Sequence, residues 1–152
     1  MIYREKFLQA AIAEAQKSLD QGGIPIGSVL VYQDQIIGRG HNQWIQKNSA
    51  ILHAEMDAIE SAGRLKPHVY RQCTIYSTLS PCSMCSGTIQ LYQIPRVIIG
   101  ENQNFKGPER LLIESGMVLE ILNDDRCIEM MSSFIRDYSS LWFEDIGQEE
   151  NI

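Results

Sequence analysis

Strand-like apolar runs alternate with amphipathic helical segments along this chain, and this alternation limits the folds that it can adopt. The first helix is predicted over residues 3–21 and ends at Gly22 and Gly23. Its apolar stripe consists of Phe7, Leu8, Ala11, Ala15 and Leu19. The next two runs, IPIGSVLVY and QIIGRG, predict an antiparallel hairpin that turns around Gln33 and Asp34.

The rest of the chain continues this alternation. A short helix in HAEMDAIESAGR stops at Gly63, the strand CTIYSTL follows, and a helix is predicted over 83–92. The strand RVIIG is apolar on both faces, which is typical of a central parallel strand covered by helices. A helix near ERLLIES, a strand MVLEIL and a helix over 125–139 precede an irregular tail, LWFEDIGQEENI. We therefore expect one α/β domain over 1–152, with a three-layer α/β/α architecture around a central five-stranded mixed sheet.

Composition and charge argue against several classes of protein. The chain is 44% apolar and 21% charged, as is ordinary for a globular protein. No apolar run approaches the roughly 20 residues of a membrane span, and the opening residues do not resemble a secretory leader. We expect a cytoplasmic protein whose cysteines stay reduced. The net charge is −6 and the 13 Lys and Arg are scattered, which argues against nucleic acid as a partner.

Two cysteines three positions apart, Cys82 and Cys85, stand directly behind Pro81. Such a pair can form a disulfide, a redox dithiol, half of a closed structural zinc site or part of a catalytic metal site. A catalytic zinc ion takes three protein ligands and keeps one position open, so one further ligand is needed. We expect Cys73 and Cys127 to be buried as small apolar side chains.

The remaining ligand is best supplied by His53, which lies in LHAEMDAIE, whereas His68 is expected in a solvated loop. Two residues apart in a helix, His53 and Glu55 would point nearly opposite ways, but at a first turn after an extended segment they can converge. His-x-Glu at one helix start, followed by Pro-Cys-x-x-Cys at another, is the signature of zinc nucleobase deaminases. Glu55 would then transfer protons, although a glutamate in a first helical turn also interacts favourably with the helix dipole.

The start of the second helix suits this chemistry. Backbone N–H groups and the helix dipole lower the pKa of thiols placed there, so Cys82 and Cys85 can bind as thiolates. Pro81 is compatible with a helix start because its missing N–H is not needed. Two thiolates and a neutral imidazole favour zinc over other divalent metals.

Further motifs resemble a known family. The chain contains GHN, LHAE, TLSPCSMC, IPRVIIGENQNF and WFEDIG in this order, and by them it resembles the yeast-type cytosine deaminases of the cytidine-deaminase-like superfamily. The resemblance runs from about Gly22 to Gly147, and the Asn-Phe pair and the WFEDIG tail are its more specific parts. Two features depart from the yeast enzyme: Ala54 stands where that enzyme has glycine, and the hairpin turn is shorter.

The resemblance implies a zinc site and a substrate pocket. It implies one zinc ion held by His53, Cys82 and Cys85, with Glu55 as the catalytic proton carrier. It implies polar contacts to the base from the side chains of Asn42 and Asp145 and from the backbone N–H of Ala54. It also implies apolar pocket walls formed by Ile26, Phe105 and Trp142, with Phe105 and the tail, residues 140–152, acting as a lid.

The activity implied by the resemblance is hydrolytic deamination of free cytosine to uracil and ammonia, in pyrimidine salvage, by a homodimer. An aspartate that accepts a ring N–H would select a free base, because a nucleoside carries its sugar at that position. Other deaminase substrates stay open, namely guanine, a modified pyrimidine or tRNA adenosine. A closed structural zinc site is a further alternative, with its fourth ligand drawn from His41, His68, Cys73 or Cys127, and a redox dithiol is another.

Overall fold

The structure is a computed structural model, and it describes residues 3–150. Its strands are β1 (Gly27–Tyr32), β2 (Gln35–His41), β3 (Cys73–Ser77), β4 (Arg96–Ile99) and β5 (Val118–Ile121). Its helices are α1 (Glu5–Asp20), α2 (Ala54–Ala62), α3 (Pro67–Tyr70), α4 (Ser83–Tyr92), α5 (Glu109–Glu114), α6 (Asp125–Asp137) and α7 (Ser139–Asp145). Within the described range, none of these helices has both the length and the apolar character that crossing a membrane requires.

The five strands form one mixed sheet in the order β2-β1-β3-β4-β5. β1 pairs antiparallel with both β2 and β3, whereas β4 runs parallel to β3 and to β5. Helices connect the parallel strands, as such crossovers require. The expected five-stranded mixed sheet is therefore confirmed, including the parallel setting of the RVIIG strand.

The hairpin between β1 and β2 turns on two residues, Gln33 and Asp34, as predicted. Both have positive φ, 49° and 62°, which is the conformation of the tight two-residue turns that match strand twist. The register shifts opposite Leu30 and Val31, where β2 has one extra residue, Ile37, and therefore carries a bulge.

Side chains that alternate along the strands build an apolar core on each face of the sheet. Val29 and Val31 of β1 pack with Phe7 and Leu8 of α1 and with Cys127 of α6. On the opposite face, β1 contributes Leu30 to a cluster with β3, β4, α4 and α5, which includes Ile75, Val97, Ile89 and Leu112. Helices thus cover both faces, and the predicted three-layer arrangement is confirmed.

Two segments fold differently from the sequence-based expectation. The tail was expected to be irregular, but Ser139–Asp145 forms α7, and its burial of Trp142 compensates for its short length. The loop expected around His68 contains the single turn α3, although His68 itself is exposed as predicted. Leu19 was placed on the buried stripe of α1, yet it is 38% exposed, because in this last turn the helix buries Ser18 instead, whose hydroxyl donates to the Asn42 carbonyl.

The chain leaves β3 at Ser77, β2 at His41 and β4 at Ile99, and the segments that follow meet at one edge of the sheet. Asn42 N–H donates to the Ile26 carbonyl (3.0 Å), and Thr78 N–H donates to the Gly27 carbonyl (3.0 Å). In open α/β sheets, ligands bind beyond the strand ends, where the connecting loops diverge. This edge therefore positions the candidate site.

Candidate active site and metal centre

His53, Cys82 and Cys85 come together at the N-termini of two helices. His53 is the N-cap residue of α2, with an extended backbone (φ −69°, ψ 165°), and Cys82 is the N-cap residue of α4, also extended (φ −68°, ψ 177°). Cys85 follows in the first turn of α4, and its side chain is completely buried. Neither N-cap side chain accepts a hydrogen bond from its own helix, so both are free to point towards a shared ligand.

The three donor atoms have the spacing of a tetrahedral zinc site. His53 Nδ1 lies 3.3 Å from Cys82 Sγ and 3.8 Å from Cys85 Sγ, and all three donors lie within 4.8 Å of one another. Zinc bonds of about 2.0–2.3 Å in tetrahedral geometry separate N and S ligands by roughly 3.5–3.8 Å. Among the described residues this is the only group of three His, Cys, Asp or Glu donors at metal-binding spacing. The donor set and its geometry therefore fit one zinc ion with an open fourth position.

The two sulfur atoms differ in their proton affinity. The pKa of Cys82 is lowered to about 4, chiefly by a hydrogen bond from the Cys85 thiol. Burial opposes this shift, and the His53 ring adds to it. The hydrogen bond to Cys82, together with burial, raises the pKa of Cys85 well above its ordinary value. The pair thus shares one proton at the place where a divalent cation would bind, and metal binding releases that proton.

The other side of the imidazole faces α7. His53 Nε2 lies 2.9 Å from Asp145 Oδ1, but the ring N–H is not aligned well enough on this oxygen for a hydrogen bond, and neither atom has another partner. Burial lowers the pKa of His53, yet the contacts with Asp145 and Cys82 outweigh it and raise this pKa to about 10. At this distance the charge of the carboxylate favours the tautomer with the proton on Nε2, which leaves Nδ1 free to bind a metal.

Glu55 lies on the same side of α2 as the metal position. The residue is 4% exposed and lines the cavity beside His53 and Cys82. Burial, and then the negative charge of Cys82, raise the pKa of Glu55 to about 7. A carboxyl group with a pKa near neutrality can both accept and donate protons at physiological pH.

The cavity above these residues is small and covered. Ile26, Phe105, Trp142 and Asp145 line it, which places four of the predicted substrate-binding residues at its wall. The Phe105 and Trp142 rings meet edge to face with centroids 5.8 Å apart. The volume open to the centre of a water molecule is about 20 Å³, enough for one or two waters but not for a nucleobase. Substrate entry therefore requires part of the wall to move.

Asn42 and Ala54 lie behind the cavity rather than at its surface. Asn42 is completely buried; its Nδ2 donates to Asp145 Oδ2 (3.3 Å), and its Oδ1 accepts from Trp44 N–H (3.0 Å). Ala54 is also completely buried, and its methyl group belongs to an apolar cluster with Ile26 and Leu79. Asn42 thus orients Asp145.

Three lining residues were not predicted from the sequence. Leu79, Ser80 and Ile146 also line the cavity. Each stands inside a motif that the sequence displays, Leu79 and Ser80 in TLSPCSMC and Ile146 in WFEDIG, so proximity to known site residues was the signal that could have found them.

Comparisons with known proteins agree with this geometry. The family model described as the cytidine and deoxycytidylate deaminase zinc-binding region matches residues 1–101. The chain is 54% identical over 145 residues to the cytosine deaminase of Candida albicans, covering 95% of this chain and 97% of that protein. It is 46% identical over 123 residues to a tRNA-specific adenosine deaminase of Streptococcus pyogenes, covering 79% and 72% of the two chains. A solved structure from work on tRNA:A34 deaminases superposes with a TM-score of 0.70 at 25% identity, covering 84% of this chain and 99% of that one.

A three-layer fold with a His-Cys-Cys centre and an unligated glutamate defines the class of zinc-dependent deaminases. This chain belongs to the cytidine and deoxycytidylate deaminase zinc-binding family. It is an enzyme, and its centre takes one zinc ion.

Proposed function

We propose that the protein is a cytosine deaminase, which hydrolyses free cytosine to uracil and ammonia. The 54% identity to a cytosine deaminase, extending over nearly the whole of both chains, is the observation that carries this proposal. Because 95% of this chain is covered, the match extends into α7, whose Asp145 lines the cavity beside the zinc ligands. The tRNA-specific adenosine deaminases match at lower identity, 46% over 79% of this chain for that of Streptococcus pyogenes and 33% over 90% of it for that of Bacillus subtilis.

The residues of the site have separate roles in the reaction: three bind the metal and one transfers protons. His53, Cys82 and Cys85 would hold the zinc ion, which when bound supplies a Lewis acid that activates water for attack on the amidine carbon. Glu55 takes a proton from that water and delivers it to the ring nitrogen, then takes the second proton from the hydroxyl now on the ring carbon and gives it to the departing amine, which leaves as ammonia. Its buried position and its pKa of about 7 support these transfers.

The carboxylate of Asp145 supports selection of a free base. Its Oδ1 is buried and has no hydrogen-bond partner, while Asn42 holds its Oδ2. A ring N–H of cytosine would satisfy Oδ1, whereas a nucleoside lacks that N–H and would leave the oxygen unpaired at a cost that discriminates strongly. We also assign the aromatic walls to the faces of the ring and, once the wall has moved to admit the base, the backbone N–H of Ala54 to the base carbonyl.

A substrate panel tests this proposal directly. Ammonia release is measured from cytosine, cytidine, guanine and an adenosine-bearing tRNA hairpin, using protein of known zinc content. We expect cytosine to be turned over with the highest kcat/KM. Glu55→Ala is the matched control, since it should retain zinc and lose activity by about 10²–10⁴-fold. A preference for the tRNA hairpin would replace our assignment with that of the adenosine deaminases.

The assembly and the cellular setting belong to the same proposal. We propose a homodimer whose contact includes the exposed apolar residues Leu91 and Tyr92 at the end of α4, and sedimentation of the zinc-loaded protein tests it. All four cysteines are unpaired, which supports a reducing compartment such as the cytoplasm and a role in pyrimidine salvage. The net charge of −6 supports a small substrate rather than nucleic acid.

A further inference from the structure

A buried carboxylate outside the zinc motifs is connected to the metal-binding loop. Ser80 Oγ donates to Glu109 Oε2 (2.7 Å) and accepts the N–H of Gly107 (3.0 Å). Ser80 N–H donates to the Glu101 carbonyl (3.0 Å). Ser80 stands two residues before Cys82, so these bonds join the loop that leads to the metal-binding helix with the loop over 101–108.

The contact between the two loops is also tight at the backbone. A Cβ placed on Gly107 would lie 1.7 Å from the Pro81 carbonyl oxygen, which means that the chain at 107 rests directly on the residue before Cys82. Any side chain at this position would therefore push the two loops apart.

Phe105 lies in the middle of this anchored loop. On its N-terminal side, the completely buried carboxylate of Glu101 accepts the N–H groups of Gln103 (2.7 Å) and Asn104 (2.9 Å). On its C-terminal side, Gly107 is held by Ser80. The position of the Phe105 ring relative to the zinc ligands thus depends on the bonds at both ends of the loop.

Glu109 does not behave like an ordinary glutamate in a first helical turn. It is 5% exposed, it accepts from Asn102 Nδ2 (3.2 Å and 3.3 Å) as well as from Ser80, and it does not line the cavity. Glu114, at the other end of the same helix, is exposed and pairs with Arg110 instead. Burial of a carboxylate is costly unless hydrogen bonds replace the lost water, and here the donors are Ser80 and Asn102, so Glu109 is fixed to the loops on which these two residues lie.

We propose that Glu109 is a positioning residue for substrate binding, which acts through Ser80 and sets the distance between the Phe105 wall and the zinc ligands. This rests on the proposed function for its choice of substrate. Because the wall contacts the base equally in the ground state and the transition state, its displacement weakens binding without changing the chemical step.

The test compares Glu109→Gln with the wild-type enzyme. The glutamine amide keeps the size of the side chain but leaves a single acceptor oxygen for the donors from Ser80 and Asn102. We expect KM for cytosine to rise about tenfold, with kcat within about threefold of the wild type and zinc content unchanged. Glu114→Gln is the matched control on the same helix and should change none of these quantities.

A second variant keeps the test informative if Glu109→Gln folds poorly. Ser80→Ala removes the hydroxyl through which Glu109 is proposed to act, so it should raise KM similarly. The double variant should raise KM no more than the stronger single variant, because both changes break the same connection. Additive effects on KM would contradict the proposal.

Hydrogen exchange of the Gly107 amide gives a readout that does not depend on the substrate. Glu109→Gln and Ser80→Ala should both speed its exchange, since Ser80 Oγ would no longer be held as its acceptor. An unchanged KM with unchanged Gly107 exchange, or loss of zinc in step with loss of folding stability, would overturn the assignment. If the wild-type enzyme does not deaminate cytosine, it is the proposed function that fails. KM is then compared for the base that the wild-type enzyme does deaminate.

Discussion

His53 contacts partners on both of its ring nitrogens. Nδ1 faces the sulfur atoms of Cys82 and Cys85, and Nε2 faces Asp145, which is carried by the last helix of the chain. The side chain of Asp145 is 1% exposed, so little water competes for this contact. At the scale of single residues, the carboxylate assigned to the substrate is therefore also a partner of a metal ligand.

Asp145→Asn should weaken zinc binding. The amide carries no charge to strengthen the imidazole ligand, and loss of such outer partners typically lowers metal affinity about 10–100-fold. Competition with a fluorescent chelator measures this affinity without reference to turnover. Glu144→Gln, at the exposed neighbouring position, is the control and should bind zinc like the wild type. Equal zinc affinity in Asp145→Asn would show that the contact does not support the metal.

At the scale of elements, helix α4 is followed by a residue in a conformation that glycine adopts more easily. Helix α4 is followed by Gln93, which has a left-handed backbone (φ 55°, ψ 45°), and Ile94 N–H donates to the Ile89 carbonyl (3.1 Å), closing the last turn. This is the arrangement of a Schellman motif, in which glycine is the preferred residue. The exposed glutamine at this position keeps α4 slightly below its attainable stability.

Gln93→Gly should stabilise the protein. Glycine adopts positive φ without a steric cost, so we expect about 0.5–1 kcal/mol of added stability. For a chain of this length, that corresponds to roughly 1–4 °C in Tm, measured by differential scanning calorimetry. Gln9→Gly, at an exposed interior position of α1, is the matched control and should lose about 1 kcal/mol. A lower Tm for Gln93→Gly would mean that its side chain makes a contact worth more than the strain.

Helix α7 shows why some elements escape prediction from sequence. It has seven residues, and none of its side chains or that of its N-cap Tyr138 caps its N-terminus. A helix this short is unstable by itself, and it forms here because Trp142 and Asp145 are buried against the site. Helices α4 and α6 were predicted nearly to the residue, because apolar periodicity and a start signal such as Asp124, which accepts from Arg126 N–H, are local features.

At the scale of the whole molecule, the zinc centre joins segments that are distant in the chain. His53 lies at the start of α2, and Cys82 and Cys85 lie at the start of α4. Asp145 of α7 contacts His53. A ligand that binds only the folded arrangement stabilises that arrangement by mass action. Zinc should therefore support the packing of α2, α4 and α7 together.

Removal of zinc should lower the thermal stability and loosen α7. With free zinc at about 100 times its dissociation constant, the bound metal contributes about 2.7 kcal/mol, or roughly 5–11 °C in Tm. Calorimetry before and after chelation measures the shift, and re-addition of zinc, but not magnesium, should reverse it. Amide exchange in α7 should accelerate in the metal-free protein, while the β3 and β4 amides should be less affected. An unchanged Tm would indicate that the centre contributes nothing to folding.

The zinc ligands, Glu55 and the order of strands and helices follow from the sequence alone, because each depends on residues that are close together in the chain or on a spacing that few other arrangements produce. The tertiary structure alone decided that Asp145 touches His53 and that Glu109 holds Ser80. These contacts join residues 92 and 29 positions apart, and no local pattern records them. They exist because packing both faces of the sheet brings the loops beyond its strand ends to one place, where buried polar atoms must find partners.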